Sequence, residues 1–299
     1  DMFHYFDCLQ IGLTATPALH TTQIFGAPVY QYTYREAVID GYLIDHEPPI
    51  NIKTELSTGG ITWQAGESMS VYDIRRNQIE LFTTPDEIKL DVVDFNKKVI
   101  TEHFNRVVCE YLAKEIDPNL KAKTLIFCAT DAHADLVVTL LKVALQDAYG
   151  SIEDDAVIKI TGAAHKPLEL IRRYRNESIP NIAVTVDLLT TGIDVPEISN
   201  LVFLRRVSSR ILYEQMLGRA TRLCADIGKE TFRIFDAVGL YEALQNVTAM
   251  KPVVVNANIG FTQLAEELLI KDSPEIVELA RELFIAKLQR KKRSLSGEQ

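Results

Sequence analysis

From residue 123 to residue 235 short apolar runs alternate with helical patterns, and this alternation limits the fold more than any other feature of the chain. Residues 123–128, 156–160, 182–186, 201–203 and 231–235 read as buried strands. Residues 132–148, 167–176 and 211–223 read as helices between them. Strands that are apolar throughout, alternating with helices, predict a parallel sheet covered on both faces. In such sheets a ligand site forms beyond the carboxyl ends of the strands, where loops run into helices.

The flanks are less regular. Residues 9–13 form an apolar run before Pro17 and predict a short buried strand. Residues 29–34 alternate as a strand, and 35–43 as a short helix. A strand over 50–56, a turn at Ser57-Thr58-Gly59-Gly60 and a return over 61–63 predict a hairpin. A helix is expected over roughly 85–114, and the polar stretch 64–86 carries no assignment. After Tyr241 helical patterns dominate, at 262–270 and 274–292. In the last of these Ile276, Leu279, Leu283 and Ala286 form an apolar stripe that needs a cover, followed by a basic end from Arg290 to Arg293.

Composition narrows the class. The 299 residues are 47% hydrophobic and 24% charged, which excludes a disordered chain, a collagen-like repeat and a disulfide-stapled mini-protein. No apolar run approaches the ~20 residues of a membrane helix, so no membrane partner is expected. The four cysteines lie far apart with no C-x-x-C pair, which predicts reduced, buried thiols in an intracellular setting and no metal site. The net charge of −9 argues mildly against nucleic acid, but the arginines are clustered, and a local groove matters more than the total.

Four stretches carry chemistry. In Tyr213-Glu214-Gln215-Met216-Leu217-Gly218-Arg219-Ala220-Thr221-Arg222, a continuous helix would place Gln215, Arg219 and Arg222 on one face, with Gly218 allowing close approach. Two guanidiniums on one face are unfavourable unless an anion meets them, and their planar forks suit phosphate oxygens. Residues 183–196 run from a strand into a loop with Thr190, Thr191, Gly192 and Asp194, whose hydroxyls and amides are usual donors to nucleic-acid phosphates; a local aspartate turn would account for the loop equally well. Residues 124–134 form a strand entering a helix, capped by Thr130 or Asp131, and Ile160-Thr161-Gly162 repeats that geometry. His133 reads as a surface residue at the helix start. Thr14-Ala15-Thr16-Pro17, at a strand end, is the weakest of the four.

In this order the stretches resemble the later motifs of superfamily-two helicases and translocases. Thr14-Ala15-Thr16 is similar to motif III, residues 124–134 to motif IV, 185–196 to motif V and 215–222 to motif VI. Within that superfamily the wording resembles the R subunit of type I restriction enzymes, over roughly residues 9–240 and less diagnostically beyond. The resemblance implies two RecA-like lobes with ATP between them. The phosphate loop G-x-x-x-x-G-K-[ST] and the acidic Mg²⁺-binding box of lobe one do not occur in this sequence. The chain is therefore expected to be a fragment: the tail of lobe one at 1–28, a RecA-like α/β lobe two at 29–246, and a helical region at 247–299.

By the same resemblance Arg219 would be the arginine finger, supported by Arg222 and Gln215. Gly192 and Asp194 would touch the nucleotide or position the finger. Thr130, Thr161, Thr190 and Thr191 would hold double-stranded DNA by its phosphates, and Thr14 and Thr16 would couple nucleotide state to lobe closure. ATP and Mg²⁺ are the implied cofactors, with the main metal ligands in lobe one. The methyltransferase (M) and specificity (S) subunits are the implied protein partners, in a bacterial or archaeal cytoplasm. The alternatives are a lobe of another superfamily-two DNA or RNA helicase, or a non-catalytic helicase-like module that binds nucleic acid.

Overall fold

A computed structural model describes residues 5, 8–17, 19–52, 61–63, 68–73, 78–83, 88–90, 102–187, 194–256, 259–269 and 274–294. The chain begins with α1 (Leu19–Phe25), α2 (Tyr34–Ile39) and β1 (Ile50–Asn51). Next come β2 (Ile61–Trp63), β3 (Ser68–Asp73), β4 (Gln78–Thr83) and β5 (Ile88–Leu90). The α/β region runs α3 (Glu102–Glu115), β6 (Lys123–Phe127), α4 (Asp131–Tyr149), β7 (Val157–Lys159), α5 (Pro167–Asn176), β8 (Ile182–Thr185), β9 (Ile198–Phe203), α6 (Arg210–Leu217) and β10 (Arg233–Asp236). Helices α7 (Leu240–Leu244), α8 (Phe261–Glu267) and α9 (Pro274–Ser294) follow.

Six strands form one sheet in the order β1-β10-β9-β6-β8-β7, and every pairing in it is parallel. Alternate side chains divide its two cores. Ile126, Val184, Val202 and Phe235 pack against Phe104, Val108 and Leu112 of α3 and Val137, Leu141 and Leu145 of α4. Leu125, Phe127, Ala183, Leu201, Phe203 and Ile234 face the other way, onto Tyr174 of α5 and Tyr213, Met216 and Leu217 of α6. This is the period-two alternation of a strand, made invisible in the sequence because both faces are buried. The stacked rings of Phe127 and Phe203, with centroids 5.6 Å apart, mark the second core. The expected covered parallel sheet is therefore present.

Several flanking expectations are corrected. Residues 9–13 form no strand, and Leu9, Ile11 and Leu13 are exposed, because no described segment pairs with them. Residues 29–33 are also irregular: Thr33 becomes the cap of α2, with its Oγ1 accepting from the Glu36 amide at 3.2 Å while the Glu36 carboxylate accepts from the Thr33 amide at 2.6 Å. The reciprocal capping box commits Thr33 and Tyr34 to the helix start. Among the described residues the predicted hairpin is not seen. β1 joins the main sheet beside β10, and β2 pairs antiparallel with β5 instead. The proposed turn at 57–60 lies outside the described residues. β5 also occupies part of the expected helix 85–114, and among the described residues the helix covers Glu102–Glu115.

The C-terminal helix packs on the lobe. Ala286 joins Tyr34, Val38, Val253 and Val254 in a third small core. Arg290 is buried and pairs with Asp45, so it cannot serve the basic end as a free grip on DNA. Arg35 of α2 pairs with Glu282 at 2.5 Å. The expected stripe is thus covered at its C-terminal half, while Ile276 and Leu279 stay about half exposed.

Candidate functional site

The carboxyl end of β6 leads directly into α4. Thr130 is the N-cap, its Oγ1 accepting from the His133 amide at 3.1 Å. That hydroxyl keeps its own proton for another acceptor. Thr161, at the end of β7, is buried, and its hydroxyl donates to Asp131 in a short bond. Lys159 donates to both Asp131 and Asp135, at 2.8 and 2.9 Å. Burial pushes the Asp131 carboxyl up, but the bonds from Lys159 and Thr161 outweigh it and hold the group below its usual value. Burial likewise lowers Lys159, and its two carboxylate partners overcome this and raise it. Thr161 therefore offers its hydroxyl to the carboxylate of Asp131, the residue after Thr130, rather than to solvent.

His133 is not the expected surface residue. It is 1% exposed. Its Nδ1 accepts from the Ala129 amide at 3.1 Å, which leaves Nε2 to donate to Asn105 Oδ1 at 2.9 Å. Burial pushes its pKa down to about 3, so the ring is neutral and acts as a structural link between α3 and the cap of α4.

The arginine turn lies elsewhere. Helix α6 starts at the Ser209 cap and stops at Leu217, so Arg219 and Arg222 stand beyond its end rather than on its face. The Gly218 amide completes the last helical bond, to Glu214, at 2.9 Å. Arg219 and Ala220 then bond back to Met216 and Leu217, at 3.2 and 3.0 Å, a three-residue step that tightens and ends the helix. A Cβ at Gly218 would meet only the carbonyls of Glu214 and Gln215, so the glycine relieves crowding inside its own turn rather than admitting a neighbour.

Gln215, Arg219, Arg222 and Asp194 nevertheless come together. Arg219 Nε donates to the Gln215 carbonyl at 3.3 Å, and Arg222 Nε lies 3.2 Å from Asp194 Oδ1. Burial lowers the pKa of Arg219, Arg222 lowers it further, and Asp194 raises it. A guanidinium stays charged under such influences, so the turn holds a half-buried cation. It sits toward the amino ends of the strands, not the carboxyl ends. Arg222 O and Pro196 O share the Lys229 ammonium, and Glu197 O accepts the amide of Lys123, the first residue of β6. Apart from Thr14 and Thr16, the described sequence-predicted residues thus form two groups at opposite ends of the sheet. Thr190, Thr191 and Gly192 lie outside the described residues.

Thr14 and Thr16 are near one another, Thr14 Oγ1 accepting from the Thr16 amide at 3.1 Å. The next residue, Pro17, accepts from Arg210 at 2.7 Å, and Arg210 also pairs with Glu214 at 2.9 Å. Glu214 is buried and accepts from the Thr248 hydroxyl at 3.2 Å and the Ala249 amide at 2.8 Å. Arg210 and Glu214 were not among the predicted residues, although their four-residue spacing and position beside Gln215 could have raised them. Among the described residues no three His, Cys, Asp or Glu side chains gather around a metal-sized site.

A parallel sheet with a guanidinium turn packed beside it defines a RecA-like helicase lobe, and residues 105–224 match the helicase conserved C-terminal domain. The chain is similar, along nearly all its length, to the endonuclease (R) subunits of type I restriction enzymes. It is 48% identical over 96% of its residues to the EcoKI endonuclease subunit of Escherichia coli strain K12, of which it covers 25%. It is 28% identical over 79% of its residues to the EcoAI endonuclease subunit of Escherichia coli, of which it covers 29%. Among solved structures, a fragment assigned to an HsdR subunit of a type I restriction enzyme from Vibrio vulnificus YJ016 superposes with a TM-score of 0.60 at 26% identity, over 84% of this chain and 44% of that one. The chain spans about a quarter of the length of the curated relatives it matches.

Proposed function

We propose that this chain is the second motor lobe of a type I restriction enzyme R subunit, which drives double-stranded DNA past the enzyme by hydrolysing ATP. The half-buried Arg219, held beside Arg222, Asp194 and Gln215 on a tight turn, is the observation that carries this reading. A guanidinium fixed by its surroundings stabilises charge that appears on the γ-phosphoryl oxygens in the transition state, without reorganising at that moment. Arg222 and Gln215 orient it, and Asp194 with Gly192 sets its approach. A first lobe elsewhere in the subunit supplies the phosphate loop and the Mg²⁺ ligands.

Thr130, with Thr190 and Thr191, makes the DNA-backbone contacts, and Thr161 braces the Thr130 cap through its bond to Asp131. Phosphate contacts carry no sequence information, so movement is independent of sequence, and the M and S subunits choose the target in the cytoplasm. Thr14 and Thr16 pass nucleotide state between lobes through the Pro17–Arg210–Glu214 link. In this reading residues 1–28 end lobe one, 29–246 make lobe two, and 247–299 form a helical appendage. The full-length subunit, assembled with its partners, tests it by displacement of a triplex-forming strand ahead of the moving enzyme. Displacement should stop in Arg219→Ala while DNA binding remains; continued displacement would overturn the assignment.

A further inference from the structure

The backbone around Arg219 poses a hydrogen-bonding problem. Helix α6 ends at Leu217, and the carbonyls that follow have no further helix turn to receive. The Thr221 carbonyl accepts the Ile44 amide at 2.8 Å. The Ala220 and Arg222 carbonyls on either side both accept from one atom, Lys229 Nζ, at 2.8 and 3.1 Å. The same ammonium donates to Pro196 O at 2.9 Å, two residues after Asp194. An ammonium has three protons, and three carbonyls surround this one. Lys229 is 4% exposed.

Local structure explains how the lysine arrives there. A single 3₁₀ turn, Ala225–Ile227, is closed by Gly228 at φ 58°, and the Lys229 amide bonds back to Cys224 at 3.1 Å. The chain folds under the arginine turn, and the lysine stem points up into it. Burying a charge is costly unless its partners are fixed in place, and carbonyl dipoles at the end of a helix are well oriented to receive one. The bonds reach both sides of the arginine turn and the segment carrying Asp194, which itself pairs with Arg222.

We propose that Lys229 is a positioning residue for the arginine finger: its ammonium ties the 220–222 backbone to Pro196 and so sets the place of Arg219 and Arg222 relative to Asp194. This rests on the reading of Arg219 given above. Lys229 touches neither nucleotide nor DNA, and acts through the backbone that carries the guanidiniums.

The full-length subunit carries the test. Lys229→Met keeps the stem and removes the charge and all three donors. DNA-stimulated kcat should fall on the order of 10²-fold, the scale of a ~1 Å misplacement. KM for ATP and affinity for DNA should stay within about threefold of wild type. Combined with Arg219→Ala, Lys229→Met should cause no further loss, because it acts through Arg219. A folded Lys229→Met subunit with wild-type kcat, or one whose loss multiplies with that of Arg219→Ala, overturns the proposal. Should Lys229→Met not fold, Lys229→Gln replaces it, retaining two donors without charge. A folded Lys229→Gln subunit with reduced kcat and unchanged KM supports positioning; wild-type turnover, or failure to fold again, overturns it. A normal rate in Arg219→Ala would defeat the finger and the lysine together, whereas a lost rate there beside a normal one in Lys229→Met defeats the lysine alone.

Discussion

Arg290, close to the end of α9, donates to the Asp45 carboxylate at 2.5 Å, and Asp45 has no exposed surface. Asp45 also accepts the amides of Val253 and Val254, both at 3.0 Å. One carboxylate thus fastens the loop before β1, the 253–254 segment and the last helix together. Removing one member of a buried pair leaves the other charge uncompensated. Arg290→Met should destabilise the folded chain by about 3 kcal/mol, the low end for breaking such a pair because three amides, those of His46, Val253 and Val254, remain on Asp45. Urea unfolding followed by fluorescence of the single tryptophan or by circular dichroism checks it, and a change under about 1 kcal/mol would place the pair among the weak surface contacts.

Arg219→Ala in the full-length subunit should cost about 4–7 kcal/mol in the barrier to ATP hydrolysis, from the 10³–10⁵ range of an arginine finger. Arg219→Lys should not restore the rate, because a point charge on a flexible stem lacks the planar fork. The measurement is DNA-stimulated ATPase at saturating ATP beside a thermal melt. A mutant that melts normally and turns over within a few fold of wild type would remove Arg219 from the chemistry.

His133 makes stability depend on pH. The unfolded chain takes up a proton there near pH 6.5, whereas burial holds the folded ring neutral down to about pH 3. Its contribution is complete above pH 6.5 and is lost as pH falls from there toward 3, at up to about 1.4 kcal/mol per pH unit. His133→Gln should flatten the stability profile between pH 6.5 and 4.5. An equally steep loss in that variant would assign the titration to other groups.

Glu214 concentrates four hydrogen bonds in one buried carboxylate, two from Arg210 and one each from Thr248 and Ala249. Glu214→Ala should cost about 2–3 kcal/mol, the range for hydrogen bonds to charged groups, with the i,i+4 pair itself discounted because Arg210 is partly exposed. It should also free the Thr14–Pro17 segment from α6, read as faster proteolysis near Pro17. Unaltered proteolysis would separate that segment from Glu214.

The sheet was legible because β6, β8 and β9 are short apolar runs between helices, and only burial on both faces produces that pattern. The end of α6 was not legible. Gly218, the C-cap of α6, is a local stop signal, but glycine is also tolerated inside helices, and the three-residue step at Arg219 shows only in the fold. Lys229 was silent because its meaning lies in three carbonyls, of Arg222, Ala220 and Pro196, that only the fold gathers around one atom. The apolar run 9–13 satisfied the strand pattern but lacked a partner among the described residues, and a strand exists only by pairing. The cap of α4 was legible to within one residue, Thr130 or Asp131, since a β-strand end, a polar residue and a following helix are all local signals, and the fold selects Thr130. Thr161 was seen as a residue of the right type, but its commitment to Asp131 required the fold.

β1 pairs with β10, so Ile50 lies beside Phe235 across most of the chain. These partners are about 185 residues apart, a separation that slows the formation of such a contact. A ribosome adding ~5–20 residues per second would finish β10 roughly 10–40 s after β1 has been made. Throughout that interval the four strands from β6 to β9 can assemble, but one edge of β9 must wait for β10, and β1 has no sheet to join. The border of the lobe is therefore the last part of the sheet to be sealed during synthesis, and a ribosome that stalls before Arg233 leaves β9 exposed as a template for unwanted pairing.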